Sequence, residues 1–117
     1  MGALAGMVQV KEVKERVMTL AESAEIVYGS LEQVEVMGSE GGKGAFMSPI
    51  VLVESSPFER LAVHEVEAFG PVSTIMPYKN LDEAIELANM GKGYSPLAFC
   101  RECSWYPRGM LMTIWML

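Results

Sequence analysis

Few side chains in this sequence could do chemistry, and their spacing narrows the choice. Cys100 and Cys103 stand as C-x-x-C, the spacing of a redox pair or of half a tetrahedral zinc site. A structural zinc site needs four ligands, and there is no second pair; the single histidine, His64, lies far upstream. No metal site is expected. His64 has no identifiable partner to make it a general base, so it reads as a surface or second-layer residue. The cluster Gly41-Gly42-Lys43-Gly44 could cradle phosphate only as part of a strand-to-helix turn of the G-x-G-x-x-G type, which the sequence lacks. Glu67 and Phe69, in Glu67-Ala68-Phe69-Gly70-Pro71-Val72, combine a carboxylate, an aromatic ring and a stiff turn. Taken alone, Glu67 reads as a solvated loop carboxylate and Phe69 as a core aromatic. Gly70 leaves room for a close backbone turn, and Pro71 stiffens it.

Charge and composition exclude several partners. Nine Lys and Arg against fifteen Asp and Glu give a net charge of -6, and a field of that sign repels phosphate backbones and anionic lipid surfaces. No nucleic acid and no membrane partner are expected. The apolar run Met110 to Leu117 is much shorter than the roughly 20 residues that span a bilayer. The first residues lack a basic segment ahead of an apolar one, and Gly6 stands where a myristoylation signal needs Ser or Thr. A soluble, cytoplasmic protein is the expectation. With 117 residues, 50% hydrophobic and 21% charged, the chain has the size and balance of one folded domain or part of one.

The elements that must position these residues follow from periodicity. Val10, Val13, Val17, Leu20 and Ala24 recur at spacings of three and four with charges between them, which predicts an amphipathic helix. Ile26-Val27-Tyr28-Gly29 is β-prone, and Gly38 to Gly44 reads as a loop. Ala45 to Val53 is a strand region with Pro49 at an edge or start, and Val72 to Tyr78 is a second extended run. Asn80 and Glu83 form a capping box ahead of the stripe Leu81, Ala84, Ile85 and Ala88, with Gly91 as the stop. Strand, capped helix and glycine exit indicate an α/β fold. Periodicity disappears after Gly93, where both cysteines and both tryptophans fall. The division is therefore a unit over 1–93 and an irregular tail over 94–117. The tail is read as disordered or as translated in a shifted reading frame.

Glu67-Ala68-Phe69-Gly70-Pro71-Val72, followed by an extended run and by Leu81 to Asn89, resembles the Glu-x-Phe-Gly-Pro-Val segment of the aldehyde dehydrogenase superfamily and the helix after it. Met1-Gly2-Ala3-Leu4 and Lys43 to Pro49 resemble two upstream landmarks in the same order. Val63 to Thr74 and Met76-Pro77-Tyr78 look closest to the dehydrogenase half of bifunctional phenylacetate-degradation enzymes, the oxepin-CoA hydrolase/semialdehyde dehydrogenases. The resemblance implies part of a catalytic-domain sheet with flanking helices. It implies NAD or NADP as cofactor, a small-molecule aldehyde substrate, including a CoA-linked semialdehyde, and a homo-oligomer in the full-length family. It gives Glu67 hydrogen bonds from the nicotinamide ribose and sets Phe69 beside that end of the cofactor. Val66 departs from members with a second acidic residue there. The family's nucleophilic thiolate, its base and its dinucleotide fold lie upstream of the matched segment, so no catalytic residue is assigned and stand-alone activity is not expected. The alternatives are a non-catalytic fragment or interaction module that packs against a dehydrogenase subunit, and a small thiol module built on Cys100 and Cys103.

Overall fold

A computed structural model describes residues 3–32, 44–91, 97–100 and 110–114. In chain order the elements are α1 (Met7–Leu20), β1 (Glu25–Tyr28), β2 (Ile50–Val53), α2 (Ala62–Glu65), β3 (Val72–Pro77), α3 (Leu81–Met90), β4 (Leu97–Cys100) and β5 (Met110–Ile114). The strands form one mixed sheet in the order β1-β2-β3-β5-β4. Only β2 and β3 run parallel, with Ile50 opposite Val72 and Leu52 opposite Thr74. A parallel pair needs a long crossover, here the segment that carries α2 and the Glu67 loop.

The first helix is built as its pattern dictates. Val10, Val13, Val17 and Leu20 are buried, and Ala24 joins them in the following turn. The helix itself ends at Leu20. The N–H groups of Ser23 and Ala24 still bond back to the Leu20 carbonyl, at 3.1 and 2.9 Å, so the turn keeps Ala24 in the core. The outer face carries Lys11–Glu15 and Glu12–Arg16 pairs at 3.9 and 4.0 Å, too exposed to contribute much.

Alternation along the parallel strands fixes the core. Ile50 and Leu52 of β2, with Val72, Thr74 and Met76 of β3, are buried, while the residues between them are half-buried. Val13, Val17 and Leu20 of α1 and Ala84 and Leu87 of α3 belong to the same apolar cluster. Pro49 immediately precedes β2, where its missing N–H costs no ladder bond.

In α3 the cap is as expected but the buried face is not. The Asn80 side chain accepts from the Glu83 N–H at 2.9 Å, and Glu83 reaches back one residue beyond the cap, accepting from the Lys79 N–H at 2.8 Å. Asn80→Ala is expected to cost about 1 kcal/mol, measured as a fall in urea midpoint without change in slope. The predicted stripe needs correction. Leu81 and Ile85 are 64% and 47% exposed, whereas Ala84 and Leu87 are buried. The entry from β3 through Tyr78 and the Asn80 cap sets the rotation of the helix, which turns Ala84 and Leu87 inward and leaves Ile85 at the boundary. Gly91 ends the helix with φ -69° and ψ 120°. That is extended backbone, so its stop does not use the left-handed conformation open to glycine.

Within the tail expected to be irregular, two strands join the sheet. β5 pairs antiparallel with β3 from Ser73↔Ile114 to Pro77↔Met110, and β4 pairs with β5. The apolar run Met110 to Ile114 thereby satisfies the edge of β3 that would otherwise be open. The Gly38–Gly44 loop lies outside the described residues except for Gly44. Among the described residues, no helix is long and apolar enough to cross a membrane.

Candidate functional site at the Glu67 to Pro71 loop

The segment between α2 and β3 is held by short-range backbone bonds. The Gly70 N–H donates to the Ala68 carbonyl, and the Val72 N–H to the Gly70 carbonyl, both at 2.7 Å. These are two consecutive three-residue turns centred on Phe69 and Pro71. The Pro71 carbonyl accepts from the Ile50 N–H at 2.8 Å, the first rung of the β2–β3 ladder. Ala68 is fully buried and Val66 packs against the core. The loop is thus anchored from inside, with Glu67 half-buried and Phe69 exposed on either side of Ala68.

Its underside rests on α1. A Cβ built on Gly70 would lie 2.9 Å from both γ-methyls of Val13, so the backbone approaches the helix as closely as only glycine allows. Gln9 spans the junction. Its Oε1 accepts from the Ala5 N–H at 2.9 Å, and its Nε2 donates to the Phe69 carbonyl at 2.9 Å. Sequence reading missed this residue, since it began the helix at Val10. The available signal was a long polar amide three residues past Gly6, a helix cap that offers no side chain.

Glu67 is half-buried, and its carboxylate makes no hydrogen bond or ion pair with any described residue. Neither oxygen is taken up by a described residue. Phe69 is 55% exposed, so the expectation of a core aromatic is corrected: the neighbouring Ala68, not Phe69, takes the buried position in this turn. His64 is buried, and its Nε2 lies 2.8 Å from the Pro57 carbonyl. A carbonyl only accepts, so Nε2 carries the hydrogen and the ring ties the 57–59 turn to α2. It is a structural histidine.

A cleft of about 200 Å³, lined by residues including Ser55, Phe58, Tyr78 and Lys79, opens at the C-terminal ends of β2 and β3. The Glu67 loop precedes β3, at the opposite end of that strand, so the cleft is not part of its site. Glu54 lies beside this end of β2, 3% exposed. Its Oε1 accepts from the Ser56 N–H at 2.9 Å, and its Oε2 has no partner among the described residues. Among the described residues no three His, Cys, Asp or Glu side chains could hold a metal together. The Cys100 side chain and all of Cys103 lie outside the described residues.

The segment Glu67-Ala68-Phe69-Gly70-Pro71-Val72 thus forms the loop that leads into β3 of an α/β sheet. The model of the "Aldehyde dehydrogenase family" matches residues 1–93, and this chain belongs to that family. It is 40% identical over 94 residues to "Protein MaoC" of Klebsiella aerogenes, covering 80% of this chain and 26% of the relative. It is 30% identical over 92 residues to the 3,4-dehydroadipyl-CoA semialdehyde dehydrogenase of Aromatoleum evansii, covering 79% of this chain and 18% of that enzyme. Against the aldehyde dehydrogenase 1A1 of Bos taurus it is 38% identical over 79 residues, 68% of this chain and 15% of the enzyme. The chain therefore spans about a quarter or less of the length of these relatives.

Proposed function

We propose that this chain supplies the nicotinamide-ribose contact of an NAD(P)-dependent aldehyde dehydrogenase, with Glu67 and Phe69 as the cofactor-facing residues. The observation that carries the reading is the Glu67 carboxylate, unpaired among the described residues, beside an exposed Phe69 on a loop anchored at both ends. The residues present fit one corner of such a cofactor: a carboxylate for a vicinal diol and a ring for the flat end beside it. Bound NAD(P)+ would supply the hydride acceptor. Glu67 would accept charge-assisted hydrogen bonds from the ribose hydroxyls, roughly twice as strong as neutral ones, and so orient the ring. Phe69 would pack beside it and exclude water from that face.

The substrate class we assign is a CoA-linked semialdehyde, oxidised to the acid in phenylacetate catabolism. The CoA semialdehyde is supported by the activity for which the Aromatoleum relative is named, and the catabolic setting by the resemblance of Val63 to Thr74. The assembled enzyme is proposed as a cytoplasmic homo-oligomer. No nucleophile or general base is assigned to this chain, and the isolated 117-residue protein is proposed to be inactive. Incubation with NAD+ or NADP+ and an aldehyde, followed at 340 nm, is expected to give no reduced cofactor; aldehyde-dependent turnover would overturn that part of the reading. Glu67→Gln keeps the shape and removes the charge. In a full-length dehydrogenase of the family that carries this loop it is expected to raise the NAD(P)+ dissociation constant about tenfold, the difference between charged and neutral acceptors, measured by titration of that enzyme.

A second reading, a non-catalytic module packing against a dehydrogenase subunit, is favoured by the exposed Leu81 and Ile85 of α3. NAD(P)+ binding separates the two, because the module reading does not require it.

A further inference from the structure

We infer that Gln9 is a positioning residue for the cofactor-facing loop, holding the Phe69–Gly70 peptide in the orientation that presents Glu67 and Phe69. This rests on the proposed ribose role of that loop. The peptide is fixed at both poles: its carbonyl accepts from Gln9 Nε2 at 2.9 Å, and its N–H donates to the Ala68 carbonyl at 2.7 Å. No other described residue bonds to the Phe69 carbonyl. Without Gln9 the unit keeps one short-range bond and is free to rotate about its neighbours.

A comparison inside the molecule separates this role from helix capping. Gln9 and Glu83 are each the third residue of their helices. Each accepts from the N–H of the residue before the cap, Ala5 at 2.9 Å and Lys79 at 2.8 Å. A carboxylate performs this function in α3, so capping alone does not call for an amide in α1. Only the amide nitrogen can donate, and its donation goes to a residue 60 positions away, in the candidate site. Gln9 therefore locks the start of α1 to the loop, while Val13 one helical turn on supports Gly70 from below.

The two halves of the side chain can be tested apart. Gln9→Glu keeps the acceptor for Ala5 and loses the donor; Gln9→Lys keeps a donor and loses the acceptor; Gln9→Leu loses both. Amide hydrogen exchange in the 117-residue protein reads the loop at Gly70 and the global fold at Val13 and Leu52, and an NAD+ titration of a full-length family dehydrogenase carrying this loop and the same substitutions reads binding. Gln9→Glu and Gln9→Leu are expected to speed Gly70 exchange about five- to tenfold, the size of one solvent-competed hydrogen bond, with the core amides unchanged. Gln9→Lys is expected to restore most of the protection, and NAD+ affinity is expected to follow the Gly70 order. Wild-type exchange at Gly70 in the Glu and Leu variants, or a Lys variant no better than Leu, would overturn the inference. So would loop loosening that leaves NAD+ affinity untouched. If Glu67→Gln leaves the NAD+ affinity of that enzyme unchanged, the ribose reading falls and the positioning role falls with it; the exchange data then report only whether the clasp exists.

Discussion

Gly29→Ala is expected to destabilise the protein by about 3 kcal/mol or more, seen as a large fall in the urea or thermal midpoint followed by circular dichroism. Two costs add. Gly29 has φ of +89°, a conformation that costs an L-residue about 1–2 kcal/mol. The added Cβ would also overlap the Pro49 carbonyl oxygen, with Ile50 Cα and the Pro49 carbonyl carbon at 3.0 Å. Those are backbone atoms at the start of β2, so no rotamer change relieves the contact. The strain falls where β1 leaves β2, next to the shift in their register between Ile26 and Tyr28. Native stabilities are typically about 5–15 kcal/mol, so this substitution could consume much of the total.

Gly70→Ala is expected to cost about 2–3 kcal/mol. Its φ is not restrictive; the cost is overpacking. The new methyl would meet both γ-carbons of Val13 at 2.9 Å, and Val13 is β-branched and 1% exposed, stiff in a helix and without space to retreat. The loop would have to lift from α1 and strain the Gln9 bond. A double-mutant cycle checks the cause. Val13→Ala, itself destabilising, should relieve the clash, so the double variant should lose less than the two single changes together, with a coupling of about 0.5–3 kcal/mol between contacting residues. Additive losses would point to some other origin.

What the sequence discloses of this fold depends on how long each pattern persists. Helix α1 and the turn after it repeat apolar residues over about four turns, and each expected core position from Val10 to Ala24 is buried. The Asn80 cap is local chemistry and survives transfer from sequence to structure unchanged. The buried face of α3 was misjudged because Leu81, Ala84, Ile85, Leu87 and Ala88 offer two overlapping stripes, and the incoming chain decides between them. Helix α2 has four residues, too few to show a period. Strands β4 and β5 carry no alternation that marks them, and their pairing depends on the open edge of β3 far away in sequence. At the site, the motif identifies Glu67 and Phe69 by resemblance, but neither the exposure of Phe69 nor the support from Gln9 could be read. Both arise from contacts between α1 and a loop roughly sixty residues later.

Whether the Glu67 to Pro71 loop faces the nicotinamide ribose is decided by hydrogen exchange along a full-length family dehydrogenase carrying this loop, with and without NAD+. Protection by NAD+ is expected at Glu67, Phe69 and Gly70 and not at Ser55 to Glu59, in the cleft at the opposite end of β3, with weaker binding in Glu67→Gln. Protection confined to the cleft, or a loop that NAD+ leaves unchanged at saturating concentration, rules the reading out.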